Sequence, residues 1–279
     1  MSLTTTTALK IIINCFVAVS AVQAVLAQDL PHFAVATAPT PVYATPHAAS
    51  PGQTPTPDNC GQIRQLEFIA LPGTAFKIIA SVPDNPLVLQ VSTNDYLPRS
   101  GVKLYASKPL LKLSPAEPPS RQKPKPSSEA VQHQLRSSVG RPYVWGGNLR
   151  AGVIVDGQQK FAGLDCSGLL YEATGGYTPR NTDQLLQFGA AVPVTGLGRD
   201  EILSRLRPLD LIVWMGHVVI VLNKETAIES VLNCATGKSG VITTPLKSRL
   251  EQLMQQRRPA NNWPADNKKA ALFVVRRWL

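Results

Sequence analysis

Two proline-rich stretches set the limits within which this chain can fold. Prolines, 24 in 279 residues, cluster in Pro39-Thr40-Pro41 and Thr54-Pro55-Thr56-Pro57, and again in Pro118-Pro119 and Lys123-Pro124-Lys125-Pro126. Proline fixes φ and offers no backbone N–H, so such runs favour extended, solvated backbone. The division that follows is a Pro/Thr-rich linker at 28–59, a folded unit at 60–114, a Pro/Lys linker at 115–128 and a second folded unit at 129–279. His32 and His47 in the first linker lack metal-ligand spacing and read as linker residues.

Residues 1–27 read as a signal peptide. Lys10 supplies the positive region, Ile11 to Leu26 are mostly apolar, and Val25-Leu26-Ala27 forms a small-residue cleavage site before Gln28. An uncleaved anchor is the alternative, but Asn14, Ser20 and Gln23 interrupt the apolar run, which approaches the roughly 20 residues a bilayer requires. Either way the chain works outside the cytoplasm: exported, and periplasmic, cell-wall-associated or secreted. No other stretch is apolar enough to span, so the mature form is expected to carry no membrane span.

An oxidising setting gives the four cysteines meaning. Cys15 falls in the leader, and the odd remainder of Cys60, Cys166 and Cys234 points to one free, reactive thiol. Two arrangements stay open: Cys60 pairs with Cys234 and leaves Cys166 free, or both are independent buried thiols. The formal charge of +10 suits an anionic partner. Export argues against nucleic acid, and the Lys and Arg residues are scattered, which fits a solvated surface facing a polyanionic envelope. Oligomeric state is not legible in the sequence.

In the first folded unit, Leu66–Ala70, Phe76–Ala80, Leu87–Val91 and Val102–Tyr105 are short β-type runs separated by Pro72-Gly73, Pro83-Asp84-Asn85-Pro86 and Arg99-Ser100-Gly101. Closely spaced short strands predict a small all-β barrel or sandwich. Its size and position resemble a bacterial SH3-like wall-targeting module. In the second unit, helices are predicted at 129–138, 166–174, 182–188 and 248–256, and strands at 211–213, 217–222, 227–232, 241–245 and 272–278. Helices followed by an antiparallel sheet make an α+β class.

Leu164-Asp165-Cys166-Ser167-Gly168-Leu169-Leu170 places a cysteine where a loop turns into an apolar helix. The first N–H groups of a helix lack intrahelical partners and the macrodipole is positive there, so negative charge is favoured. A thiolate in such a place is a nucleophile. Gly140-Arg141-Pro142-Tyr143-Val144-Trp145-Gly146-Gly147, Asp165-Cys166-Ser167-Gly168, Pro179-Arg180, Leu206-Arg207-Pro208-Leu209-Asp210-Leu211 and His217-Val218-Val219-Ile220, in that order, resemble the NlpC/P60 family of papain-like cysteine peptidases over roughly 129–279. The resemblance implies helices packed on an antiparallel sheet and hydrolysis of peptidoglycan stem peptides next to D-glutamate.

Acyl transfer to a thiol needs a thiolate, a base that later protonates the leaving amine, a group that orients the base, and donors for the oxyanion. Cys166 and His217 fill the first two places. A lone histidine on an apolar strand is ordinarily a core residue, and the surrounding motifs are what raise His217 above that; His133 carries no motif. Where the family usually has His, Asn or Gln, Glu229 stands twelve residues beyond His217. Its carboxylate can accept the imidazole N–H and stabilise the imidazolium. The hairpin sets a condition: a three- or five-residue loop puts His217 and Glu229 on one face, whereas a two-residue turn at Lys224-Glu225 brings Ser230 alongside.

Tyr143 resembles the family's hydroxyl beside the nucleophile, and aromatic packing on Trp145 is its simpler role. Asp165, Ser167, Arg180 and Trp145 are the candidate substrate-binding residues: a carboxylate and hydroxyl can hold an amino terminus, and an arginine a carboxylate. Helix capping explains Asp165 and Ser167 equally well, and Arg180 reads otherwise as a surface charge. The gap between Gly147 and Asp165 is longer than in relatives and contains a hairpin about Asp156-Gly157, expected to border the cleft. With no metal cluster or phosphate loop, no cofactor is implied. The function expected is stem-peptide cleavage after γ-D-glutamate through a thioester, the alternatives being an N-acetylmuramoyl-L-alanine amidase and a non-catalytic wall-binding protein.

Overall fold

The computed structural model describes residues 31–53, 55–264 and 271–279; the expected signal peptide at 1–27 lies outside them. Seven strands form the first sheet: β1 (Phe33–Ala36), β2 (Thr40–Tyr43), β3 (Leu66–Ala70), β4 (Ala75–Val82), β5 (Asn85–Ser92), β6 (Leu104–Ser107) and β7 (Leu111–Ser114). Their spatial order is β3-β2-β6-β5-β4-β1-β7, every pairing antiparallel. Alternating residues such as Ala34, Phe68, Phe76, Leu89 and Leu104 bury one face in a common core.

This sheet corrects two expectations. The stretch assigned as a linker at 28–59 supplies β1 and β2. Pro41 is tolerated because β2 pairs with β6 only from Val42 onward, so no ladder donor is missing on that side. The sheet also does not close, since its terminal strands β3 and β7 are not paired to each other among the described residues. A small SH3-like barrel confined to 60–114 is therefore not what forms.

The second part begins with α1 (Ser128–Ser137), whose N-cap Ser127 accepts from the Ala130 N–H. The short strands β8 (Asn148–Leu149) and β11 (Gly163–Leu164) pair with each other and enclose the hairpin of β9 (Val153–Val155) and β10 (Gln158–Lys160). Asp156 and Gly157 both have positive φ, 52° and 73°, as a tight two-residue turn demands. Then come α2 (Cys166–Ala173), α3 (Thr182–Leu185), β12 (Ala190–Ala191), α4 (Arg199–Arg205), β13 (Leu211–Trp214), β14 (His217–Val221), β15 (Thr226–Val231), β16 (Gly240–Pro245), α5 (Leu246–Gln256), β17 (Arg258–Ala260) and β18 (Leu272–Arg277). The sheet runs β12-β18-β13-β14-β15-β16, with β17 parallel to β18.

Its central strands are continuous apolar runs because both faces are covered. Val213, Val218, Ile220 and Ile228 pack towards α1 and α2, while Ile212, Val219, Val221 and Ala227 pack towards α4 and α5. The predicted helices and strands of this part all appear, with α3 one turn shorter, and α4 was not foreseen.

The two parts are sewn together by buried polar groups. Asn148, fully buried on β8, accepts from the Ile69 N–H at 2.8 Å and donates to the Ile69 carbonyl at 3.0 Å, capping the edge of β3. Arg121, within the Pro/Lys stretch, bonds Asp95, Tyr171 and the carbonyls of Gly175 and Gly176. A disulfide between Cys60 and Cys234, 174 residues apart, adds a covalent tie and leaves Cys166 as the free cysteine among the described residues.

Candidate active site

Cys166 is the first residue of α2, and its neighbours explain why the helix starts there. Asp165 is the N-cap, its side chain accepting from the Gly168 N–H at 2.7 Å. A Cβ on Gly168 would collide with the Gly147 carbonyl oxygen, so only glycine lets α2 seat this closely. The Cys166 thiol lies 3.8 Å from the Gly216 carbonyl, in the turn that leads into His217. Among the described residues no acceptor engages the Cys166 N–H.

The hairpin that carries His217 meets the register condition set by the sequence. Ile220 pairs with Ile228 and Val221 with Ala227, and the Leu222 N–H bonds the Thr226 carbonyl, leaving the three-residue loop Asn223-Lys224-Glu225. His217 Nε2 and Glu229 Oε2 are accordingly 2.8 Å apart. Ser230 faces the other way and donates to the Leu164 carbonyl at 2.7 Å. Trp214, one turn before His217, lies against the imidazole with ring centroids 4.9 Å apart.

Glu229 is 1% exposed, a costly place for a carboxylate without partners. Arg249 on α5 donates from Nε to Oε1 at 2.6 Å and from a terminal nitrogen to Oε2 at 2.9 Å. Burial pushes Glu229 up, but His217 and Arg249 overcome it and hold the carboxyl below its usual range. Burial likewise pushes His217 down, and the charges and hydrogen bonds of Cys166 and Glu229 reverse this and raise it to about 9. With Nε2 engaged by Glu229, Nδ1 is the ring nitrogen left for the thiol. Burial, then the charges of Asp165 and Cys166, raise the Tyr143 phenol well above its usual range, so it stays a neutral donor.

Cys166, Tyr143, Trp145, Asp165 and Ser167 line a cavity of about 220 Å3. Arg180 also borders it but is 1% exposed and fully committed. It bonds both Asp165 oxygens at 3.0 and 2.7 Å, Ser167 Oγ at 2.9 Å, and the oxygens of Asn148 and Gly147. Neither expectation for Arg180 holds: it is not a surface charge, and its donors are spent on the Asp165 cap rather than open to a substrate carboxylate. Asp165 and Ser167 are correspondingly engaged within the chain.

The opposite wall comes from the first sheet and its loops: Arg64, Glu67, Tyr96, Arg99 and Val102. Sequence reasoning missed all of these, and Arg249, because no local pattern connects them to Cys166. The β9–β10 hairpin does not line this cavity. Val155, Asp156 and Lys160 line a second, more apolar cavity of about 420 Å3 that shares Tyr143 with the first.

No family model matches this chain, and no curated protein matches it. Among solved structures, the chain is similar to an NlpC/P60 family protein from Bacillus cereus at 19% identity and TM-score 0.35, covering 88% of this chain and 63% of that one. It thus spans less than two thirds of that relative's length. A second is an NlpC/P60 endopeptidase from Photobacterium damselae subsp. piscicida, at 11% identity and TM-score 0.48, covering 92% and 76% of the two chains. A third is RipD from Mycobacterium tuberculosis, a non-catalytic NlpC/p60 domain protein adapted to peptidoglycan binding, at 23% identity and TM-score 0.31, covering 43% and 87%. All three are NlpC/P60 proteins, at identities below 25% and TM-scores below 0.5.

Proposed function

We propose that this chain is an exported cysteine peptidase that cleaves the stem peptides of peptidoglycan, at the bond after γ-D-glutamate. The observation that carries the reading is His217, set between a free thiol at a helix N-terminus and a buried carboxylate 2.8 Å from its Nε2. In this reading Cys166 attacks the scissile carbonyl as the thiolate, and the Cys166 N–H and Tyr143 hydroxyl stabilise the oxyanion. The His217 imidazolium gives its proton to the leaving amine, forming a thioester. The neutral imidazole then takes a proton from water, which attacks the thioester and frees Cys166. Glu229 holds the imidazole in place and stabilises its charged form.

Digestion of purified peptidoglycan by the wild type and by Cys166→Ala, with the released muropeptides identified by mass spectrometry, tests this. New termini at γ-D-glutamate, absent with the variant, are the expected result. Free L-alanine amino termini with intact sugars would instead make the protein an amidase. Release unaffected by the substitution would remove the thiol mechanism, and no release by either protein would leave a wall-binding role.

A further inference from the structure

The wall of the Cys166 cavity opposite α2 carries two guanidinium groups that the proposed chemistry does not use. Their placement is built from the sequence around residue 60. Asp58 Oδ1 accepts from the N–H groups of Cys60 and Gln62, each at 2.8 Å, folding a tight turn, and Oδ2 holds Arg64 Nε at 2.5 Å. The Cys60–Cys234 disulfide anchors that turn to the loop after β15, and Gln62 Oε1 accepts from the Trp145 N–H at 2.9 Å. As a result the Arg64 guanidinium lies 4.4 Å from the centre of the Trp145 indole, and that of Arg99 lies 6.0 Å from the same ring.

Both groups keep donors open to a ligand, Arg64 at its terminal nitrogens while its Nε stays with Asp58. Among the described residues no hydrogen bond engages the terminal nitrogens of Arg64, and Arg99 makes no ion pair. Of the other charged groups on the cavity wall, Asp165 and Arg180 pair with each other, and Glu67 accepts from the Tyr96 hydroxyl at 2.5 Å. The cavity wall therefore offers a ligand the terminal nitrogens of Arg64, whose Nε is paired with Asp58, and the guanidinium of Arg99.

We propose that Arg64 and Arg99, mounted on Trp145, form a carboxylate-binding subsite that reads the free α-carboxylate of the residue on the acyl side of the scissile bond. The inference rests on the peptidase reading above and refines it. A glutamate linked through its side-chain carbonyl keeps its α-carboxylate only a few bonds from the reacting carbon, within one small cavity of Cys166. A guanidinium fork matches a carboxylate in two parallel hydrogen bonds, and stacking on indole fixes the plane of the fork beforehand. A carboxamide at the same place offers one acceptor and no charge, so the subsite separates acidic substrates from amidated ones.

The test uses two synthetic peptides, L-alanyl-γ-D-glutamyl-diamino acid and its counterpart with the α-carboxylate replaced by a carboxamide. Wild type is expected to favour the acid by about 10- to 100-fold in kcat/KM, the range of a charge-assisted pair. In Arg64→Gln/Arg99→Gln that ratio falls towards unity through a higher KM for the acid, and Arg99→Gln alone, at an exposed site, lowers it part of the way. Equal cleavage of both peptides by wild type, or an undiminished ratio in the two variants, overturns the subsite alone. Cleavage of neither peptide by wild type overturns the peptidase reading beneath it.

Discussion

Arg249 grips both oxygens of Glu229, at 2.6 and 2.9 Å, so the carboxylate beside His217 is shared between two cations. The sharing has opposite effects on its two partners. It keeps Glu229 ionised in a buried place, and it withdraws part of the negative charge that would otherwise favour the imidazolium. Arg249→Met is therefore expected to move both limbs of the pH profile of kcat to higher pH, the acid limb through Glu229 and the alkaline limb through His217. It should also cost about 3 kcal/mol of stability, as loss of one partner of a buried pair does. A destabilised variant whose pH profile does not move would reduce Arg249 to a structural brace.

Glu229 and Ser230 are neighbours in sequence and opposite in consequence. Glu229 bonds His217, whereas Ser230 bonds the Leu164 carbonyl across the other face of the sheet. Glu229→Ala should lower kcat by about 10^3-fold with little change in KM, by analogy with loss of the orienting acid of a catalytic triad. Ser230→Ala should leave kcat near wild type and cost about 1 kcal/mol of stability, the worth of one buried hydrogen bond. The reverse ranking in steady-state kinetics would mean that β14 and β15 pair in another register.

What the sequence disclosed follows from how local each signal is. Cys166 at a helix start and Glu229 in register with His217 are written in short-range spacing, through the periods of helix and strand. Arg180 was misread because sequence records that a residue is charged but not that Asp165, fifteen residues away, consumes its donors. β1 and β2 were hidden by prolines that the sheet accommodates where no ladder bond is needed. Arg64 reaches Trp145 only because strand order brings residues 58–64 beside 143–146, a contact with no local signature.

The Cys60–Cys234 disulfide closes a loop of 174 residues and pins the turn that presents Arg64. Cys60→Ser/Cys234→Ser should lower the unfolding free energy by about 2–5 kcal/mol, measured by denaturant titration. Because the turn also supplies Gln62 to the Trp145 N–H, KM should rise more than kcat falls. Reductant should mimic the double variant in the wild type and do nothing further to the variant. A stability unchanged by both treatments would show that the bond is not formed in solution.

Tyr143 stays protonated because burial and the nearby Asp165 and Cys166 charges oppose its ionisation. In the proposed mechanism this neutral phenol, bordering the Cys166 cavity, donates to charge that develops on the substrate oxygen and has little to offer the ground state. Tyr143→Phe should accordingly lower kcat by about 10^2-fold while KM holds. A rise in KM at constant kcat would instead place the hydroxyl on bound substrate.

The value of about 9 for His217 ties the thiol, the imidazole and the pH range of activity together. Burial alone would have depressed the group, so the rise reports charge on Cys166 and Glu229. Since the folded value lies above the unfolded one, near 6.5, the stabilisation is fully present below about 6.5 and is lost as pH climbs through 9. In the proposed mechanism the imidazolium is also the acid that the leaving amine requires, so kcat/KM should fall along an alkaline limb near 9. Cys166→Ala removes one of the two sources of negative charge, and His217 should then titrate below 9 when followed by NMR of its ring carbons. An unchanged titration in Cys166→Ala would mean that the thiol and imidazole are not electrostatically coupled, and the ion pair at the centre of the proposed mechanism would have to be abandoned.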